Sequence, residues 1–576
     1  MSAPRAGGNL LGTMPVNRLV LAMSAPIMAS MLISALYNLV DSIYVAQVSD
    51  LDFLALSYAY PVQLMMVAFC TGVGVGFNAS FARRLGEGKM EEANQVACHG
   101  FLFYGACWLL FLAFGLLGTT PALASEVEVA PQEPAPLPAW SYGMVADGYA
   151  LGLFGDEIYT AHDQIVTEDQ LGQMTQVVAS KLALLEVEQR PAADEGLVVD
   201  TTRGGVVNAL YQEAAAYAFP GVEEGPEAFM TSVGALAGDG ESLALDRPCT
   251  LLEAATMANS LILNLYDQEN AGSLGLLWKA DNGAGNTLYL LGSIHTDVNN
   301  TYPFHKQLRD IILGADQVTF ELDFNDQAQI LEFAAMQVYT DGTTLADHIS
   351  PELYRATVKA GAQLGMDEQT IAQYKAWALA TSFQSLATVD ETTSSNAMAI
   401  DLYVNAKAAN AGIPIDAVET YAFQGGIFDG LSPEYQETYL AGGLLMMLDV
   451  DTMDQETRDA LVAVLGEEAL EPATQDYIQA QLDQISAMME TWKDRDPEAF
   501  DEVYDKDAIL ASDDELNAKL FLDRDPGMIQ YAADYLSQEG SHTGLMVVGA
   551  GHMVGDTGIV QGLKDLGYTV EVVPNP

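Results

Sequence analysis

Two histidines follow a glycine at the same spacing, in Gly292-Ser-Ile-His295 and in Gly549-Ala-Gly-His552. Each closes an apolar, β-branched run, NTLYLLGSIHTD from Asn286 and LMVVGAGHMVGD from Leu545, that reads as a buried strand. A third run, QVTFELDF ending at Phe324, carries Glu321 and Asp323. A glycine at a strand end lets the backbone turn sharply, and the histidine then stands over the sheet edge. Open α/β sheets bind ligands at the carboxyl ends of their strands. Two imidazoles and a carboxylate gathered there can hold a divalent cation with one coordination position open. The chemistry this predicts is metal-assisted hydrolysis. His295 and His552 bind the ion, with Glu321 as third ligand or as base, and the ion acidifies a water and polarises a carbonyl. The chain has no HExxH helix, no serine nucleophile elbow and no phosphate-cradling glycine loop, which argues against those classes.

The elements that must position these residues form an α/β domain with a helical insertion. Between the Glu321 strand and the last strand, DFNDQAQILEFAAMQVY, SPELYRATVKAGAQLG and TIAQYKAWALATSFQSLA carry helical periodicity. Ser350 and Pro351 form a cap and first-turn pair. Glu419 ends a further strand-like run, IPIDAVET, and is a candidate outer carboxylate behind the ligands. Arg524 has two readings: it stabilises an oxyanion or holds Glu321, or it makes a helix-end salt bridge with its neighbours Asp523 and Asp525. His305, His348 and His542 lie on helix or turn segments and read as surface residues.

These blocks carry a resemblance. LLWKADNGAGNTLYLLGSIHTD, DGTTLADHISPELY, YKAWALA, IDLYVNAKAANAGIPIDAVET, LDRDPGMIQYAADYL and GAGHMVGDTGIVQGLKDLGYTVEVV resemble, in order, the TraB/GumN family, which includes the Tiki-type metalloproteases. The resemblance spans Leu276 to Val573. It implies a peptide substrate and a manganese, cobalt or zinc ion, with Arg524 in the family's DR block and Glu419 at a family position. It leaves open a second function, a non-catalytic protein that binds a peptide or other ligand.

Composition divides the chain. Its 576 residues carry a formal charge of −56, yet residues 1–118 hold five basic and six acidic side chains and the remainder holds 18 and 73. So acidic a body repels nucleic acid and anionic lipid. The four cysteines, Cys70, Cys98, Cys107 and Cys249, build neither a disulfide framework nor a cysteine metal site. The head carries three apolar runs, Met14 to Val45, Phe53 to Phe81 and Phe101 to Leu117, each near the roughly 20 residues that cross a bilayer. This all-α transmembrane head of three helices occupies residues 1–118. Arg83, Arg84 and Lys89 between the second and third runs place that loop in the cytoplasm with the N-terminus, and the third span delivers the body outside the cell. RRLGEGK, the third apolar run and TTPALASE also read as a signal peptide cleaved after Ala124. NLLGTMPVNRLVLAMSAPIMASMLISALYNLVDSIYVAQVSD and the run from ALSYAYPV to KMEEAN resemble MATE multidrug efflux transporters, which puts Asp41 where that family keeps a cation-coupling carboxylate. That family has twelve spans, so the head is expected to serve as an anchor rather than as a xenobiotic antiporter.

Residues 119–138 form a Pro-rich linker, and residues 139–266 read as mostly α repeats, because threonines recur at helix starts. Trp140, Thr167, Thr202, Arg203, Arg247 and Thr250 resemble the aromatic, Thr and Arg positions of S-layer homology repeats, which implies cell-wall polysaccharide as a partner. A plain helical spacer is the other reading. The domain carrying the histidines occupies residues 274–576. Membrane vesicles containing this protein alone are expected to show neither drug efflux nor sodium-coupled uptake. Transport above that of empty vesicles would contradict the anchor reading.

Overall fold

The computed structural model describes residues 136–576, apart from 192–195, 239–241, 295–300, 388–397, 449, 451, 471–472 and 513, together with Arg83, Arg84 and Lys89. The three expected spans, Asp41, the Ala124 cleavage position and His295 lie outside the described residues. Among those described, no helix is long and apolar enough to cross a membrane.

Six strands form one mixed sheet in the order β4-β3-β5-β2-β1-β6. They are β1 (Leu277–Asp281), β2 (Thr287–Ser293), β3 (Gln317–Phe320), β4 (Ile415–Ala417), β5 (Thr543–Gly549) and β6 (Thr569–Val572). The expected opening pair is an antiparallel hairpin, with Leu277 opposite Leu291 and Asp281 opposite Thr287. β2, β5, β3 and β4 run parallel, so their carboxyl ends lie along one edge. The registers fix how those ends align. Ser293 lies opposite Gly549, Phe320 opposite Val547, and Phe320 opposite Ala417. β5 runs through the middle of the sheet with Gly544 to Val548 all buried, as a parallel strand covered on both faces requires. The C-terminal region is thus α/β, as expected, and β6 closes the antiparallel side.

Three helices of the middle segment start on the threonines that recur in the sequence. In α2 (Glu168–Leu182), α3 (Arg203–Ala215) and α4 (Leu251–Gln268) the hydroxyls of Thr167, Thr202 and Thr250 accept from the backbone N–H of Gln170, Gly205 and Glu253. Each cap satisfies a helix-start donor that would otherwise face water or nothing. The starts are drawn together, since Val166 donates to Cys249, Leu251 to Gln164 and Cys249 to Thr201. Arg203 is buried and donates to the carbonyls of Leu243 and Ala237, while Arg247 pairs with Glu253. Trp140 is 64% exposed. The segment is not strung out as a spacer. It shares one hydrophobic core with the sheet, and its first helix, α1 (Tyr142–Ala150), is pinned to α5 (Ile400–Ala411). There the Asp147 carboxylate accepts from Tyr403 Oη at 2.6 Å and from Lys407 Nζ at 2.8 Å.

The insertion after β3 is helical and packs a core of its own around Leu345, Leu353, Phe383, Leu440 and Leu461. Two expectations are corrected there. TIAQYKAWALATSFQSLA is not one helix: it breaks at Tyr374, whose extended backbone bridges to Val338, leaving Glu368–Gln373 and Ala376–Ala387 on either side. Ser350 stands at a helix start with Pro351 behind it, but its side chain makes no cap bond and its N–H donates to Glu437.

His305 is also corrected, from surface to buried, at 4% exposed. Its Nδ1 accepts from the N–H of Gln307 and caps the helix Lys306–Leu313, while Nε2 faces Asn270 Oδ1 at 3.2 Å. Burial, with Arg495 and Arg309 nearby, holds its pKa below the ordinary 6.5 and outweighs Asp267 and Asp310. Above about pH 6.5 the ring is neutral folded or unfolded, and on acidification the unfolded chain takes up the proton first. His305 therefore removes stability as pH falls. In His305→Asn, which keeps a capping acceptor, the drop in urea midpoint between pH 7.5 and pH 5.5 is expected to be smaller than in the parent protein.

Candidate active site at the strand ends

β5 leads directly into a short helix, α8 (Ala550–Met553), that carries His552. Gly549 has φ −49° and ψ 135°, an ordinary extended conformation, and Gly292 lies within β2. Neither glycine serves a sharp turn, contrary to the expectation. Gly292 is needed for close approach, since a Cβ there would stand 3.0 Å from Cα and Cβ of Ala550. A Cβ on Gly551 would fall 2.5 Å from Tyr504 Oη. Gly292 thus lets α8 settle onto the end of β2, and Gly551 lets it pack against Tyr504.

The His552 ring is buried, with its centroid 5.3 Å from that of Phe521. Nδ1 lies 2.7 Å from Asp525 Oδ1, and Nε2 is 4.0 Å from Glu321 Oε1. Glu321 stands one residue beyond β3. Its Oε1 accepts from the N–H of Gly549 at 2.7 Å, and its Oε2 accepts from Arg524 Nη2 and Gln424 Nε2. Glu419, beyond β4, is clamped by Arg524 through Nε, 3.0 Å from each oxygen, and through Nη2 at 2.8 Å. Gln424, on α6 (Tyr421–Asp429), also donates to Glu419. Burial works against the Arg524 charge, but Glu321 and Glu419 outweigh it and raise the guanidinium pKa further above its ordinary value. A forked cation between two carboxylates is the geometry that arginine, and not lysine, supplies.

Arg524 is the N-cap of α7 (Asp525–Leu536), yet it pairs with the two glutamates rather than with Asp523 or Asp525. The helix-end salt bridge is corrected accordingly. Asp525 turns the other way, toward His552 and toward Lys506 Nζ at 2.7 Å. Sequence reasoning missed Asp525, Lys506 and Gln424. Asp525 reads as the partner of its neighbour, and Lys506, between Asp505 and Asp507, reads as a solvated charge.

A cavity of about 250 Å³ opens among these groups, lined by Ser293, Glu321, Arg524 and His552 and walled by Ile294, Met488, Leu520 and Phe521. Two larger hollows, of about 560 and 660 Å³, lie elsewhere, beside His305 and Asp267 and beside Glu224 and Ser232. They are not where the reactive groups converge, so the smaller cavity is the better candidate. Glu419 does not line it and reaches it through Arg524 and Gln424. Ser293 Oγ is buried there with no hydrogen-bond partner among the described residues. An orphaned hydroxyl is costly unless something occupies the space before it. Among the described residues no group of three His, Cys, Asp or Glu side chains is arranged to hold a metal ion. The imidazole Nε2, Glu321 Oε1 and the Ser293 hydroxyl fit part of a donor set for a divalent cation, and β2 ends at Ser293, two residues before His295.

Replacing Arg524 with Met leaves two largely enclosed carboxylates facing each other without their cation. Loss of one member of such a buried pair is expected to destabilise the protein by about 3–5 kcal/mol, with Arg524→Lys recovering only part. Denaturant melts of the three proteins check this.

A family model described as TraB/PrgY/gumN matches residues 276–572, and one described as MatE matches residues 26–125. A FAD transporter of Shewanella oneidensis is 28% identical over 111 residues, which are 19% of this chain and 23% of that protein. The chain therefore spans about a quarter of the length of that relative. No solved structure matches the chain. With more than half its length covered by one family, and that half carrying the strand-end site, the chain belongs to the TraB/PrgY/gumN family.

Proposed function

We propose that residues 274–576 form a metal-dependent hydrolase of peptides, held at the membrane by the MatE-like head and working outside the cytoplasm. The observation that carries this reading is the convergence at one sheet edge. The end of β5 supplies an imidazole turned into a cavity, the end of β3 supplies a carboxylate beside it, and an arginine holds that carboxylate in place. His552 Nε2 and Glu321 Oε1, with His295 two residues along the sequence from the end of β2, would hold the ion. Manganese, cobalt and zinc all suit such a nitrogen and oxygen set. A bound cation supplies an acidified water and a polarised carbonyl.

The remaining roles belong to the chain's own side chains. Glu321 is tied by Arg524, Gln424 and the Gly549 N–H, which keeps it anionic and fixed. That suits a ligand and works against a proton acceptor, whose basicity must be free to act. Glu419 keeps Arg524 in place rather than touching substrate. The apolar wall of Ile294, Met488, Leu520 and Phe521 excludes water and favours an uncharged group beside the reacting bond. The volume of about 250 Å³ accommodates the scissile group with one modest side chain, not a folded partner.

Full-length protein is expected to cleave members of a peptide library, to lose that activity on chelation and to regain it with manganese or cobalt. His295→Ala and His552→Ala are each expected to abolish both metal binding and cleavage with the circular dichroism spectrum unchanged. Cleavage persisting in the double variant would overturn the proposal. Metal and peptide binding without turnover would point to a binding protein.

A further inference from the structure

We infer that Asp525 and Lys506 are positioning residues that fix His552 as its Nδ1–H tautomer and so leave the Nε2 lone pair facing the cavity. The inference rests on the proposed hydrolase only for what that lone pair then does.

Asp525 opens α7 and is 1% exposed. Its two oxygens face different partners. Oδ2 lies 2.7 Å from Lys506 Nζ and 3.3 Å from Thr557 Oγ1, and Oδ1 lies 2.7 Å from His552 Nδ1. Lys506 is wholly buried, its ammonium 4.7 Å from the centre of the Phe521 ring. Its stem packs against Gly555, where a Cβ would come within 3.0 Å of Lys506 Cδ and where φ is +77°. An ammonium can only donate, so Oδ2 accepts from it, and a cation at this distance favours the ionised form of Asp525. A carboxylate oxygen 2.7 Å from Nδ1 then requires a proton on Nδ1. With the proton on Nε2 instead, two lone pairs would face each other at hydrogen-bond distance. A neutral imidazole carries one N–H, so its other nitrogen, Nε2, is bare. That nitrogen is the one 4.0 Å from Glu321 Oε1 at the cavity wall. The Lys506–Asp525 pair therefore has a directional consequence that a buried ion pair acting on stability alone lacks.

Replacing Asp525 with Asn tests this. Lys506 still demands an acceptor, so the amide oxygen turns to the ammonium and the NH2 group to His552 Nδ1. An NH2 donor requires a lone pair at Nδ1, which moves the ring proton to Nε2 and closes the site. The readout is the nitrogen-15 spectrum of the metal-free full-length chain labelled at its seven histidines, with His552→Gln identifying the resonance. The parent protein is expected to show the Nδ1–H tautomer and Asp525→Asn the Nε2–H tautomer, with cobalt binding weakened about 10- to 100-fold, as is usual when the hydrogen-bond partner of a ligating histidine is lost. An Nε2–H tautomer in the parent protein overturns the inference, and that measurement does not depend on any variant folding. Asp525→Asn that keeps the Nδ1–H tautomer and the parent's cobalt affinity overturns it too. If the tautomers behave as expected but the parent binds no cobalt, the inference stands and the metal reading falls.

Discussion

Arg524 buried between Glu321 and Glu419 is the contact on which the strand-end architecture rests. It joins the ends of β3 and β4 to the start of α7, three pieces of chain separated by about a hundred residues each. Two carboxylates and one guanidinium leave an excess negative charge in a dry place, where an uncompensated anion is expensive. The Gly549 N–H and the Gln424 amide share that charge, and both come from elements already at the sheet edge. The next residue along the chain works in the opposite direction. Asp525 reaches across to the imidazole on α8, so one Arg-Asp step at a helix start orients a carboxylate on one side and a histidine on the other.

The acidity of the body sharpens this. Beyond residue 118 there are 18 basic side chains, and six of them, Lys181, Arg203, Lys407, Arg495, Lys506 and Arg524, are buried. Lysine and arginine are seldom buried unless paired. Here a third of these scarce cations are inside, where Arg203, Lys407, Arg495, Lys506 and Arg524 hold carboxylates or carbonyls, and the exterior is more negative than the composition alone suggests. Arg495, for example, is buried and donates to the carbonyls of Leu274, Gly275 and Val573, tying the chain's last strand to its first. Desolvation pushes its pKa down to about 10, which still leaves it charged at neutral pH.

The middle helices show how packing overrides a reading by segments. Their composition and linker read as a unit of their own, yet Leu261, Leu265 and Tyr266 belong to the same core as Leu277 and Leu545. The Asp147–Lys407–Tyr403 cluster fastens α1 to α5 by charge as well as by contact. The insertion does the reverse. It belongs in sequence to the sheet domain and has a separate core. Domain limits follow buried surface, which a linear composition scan does not measure.

The sequence by itself determined the α/β class, the strand runs, the threonine-started helices and the short list of chemistry-bearing residues. These follow from local properties: side-chain period, cap residues and spacing along the chain. Tertiary structure decided the strand order and which neighbours those residues meet. Arg524 turned from the adjacent aspartates to glutamates 105 and 203 residues away. Gly292 proved to serve helix-on-strand contact rather than a turn, and His305 went inside. Asp525 and Lys506 had no sequence signal because their roles depend on burial at a particular place. The physical reason is common to all of these: the strength of a charge–charge or hydrogen-bonding contact is set by the surroundings it is buried in, and those are assembled from segments far apart in the chain.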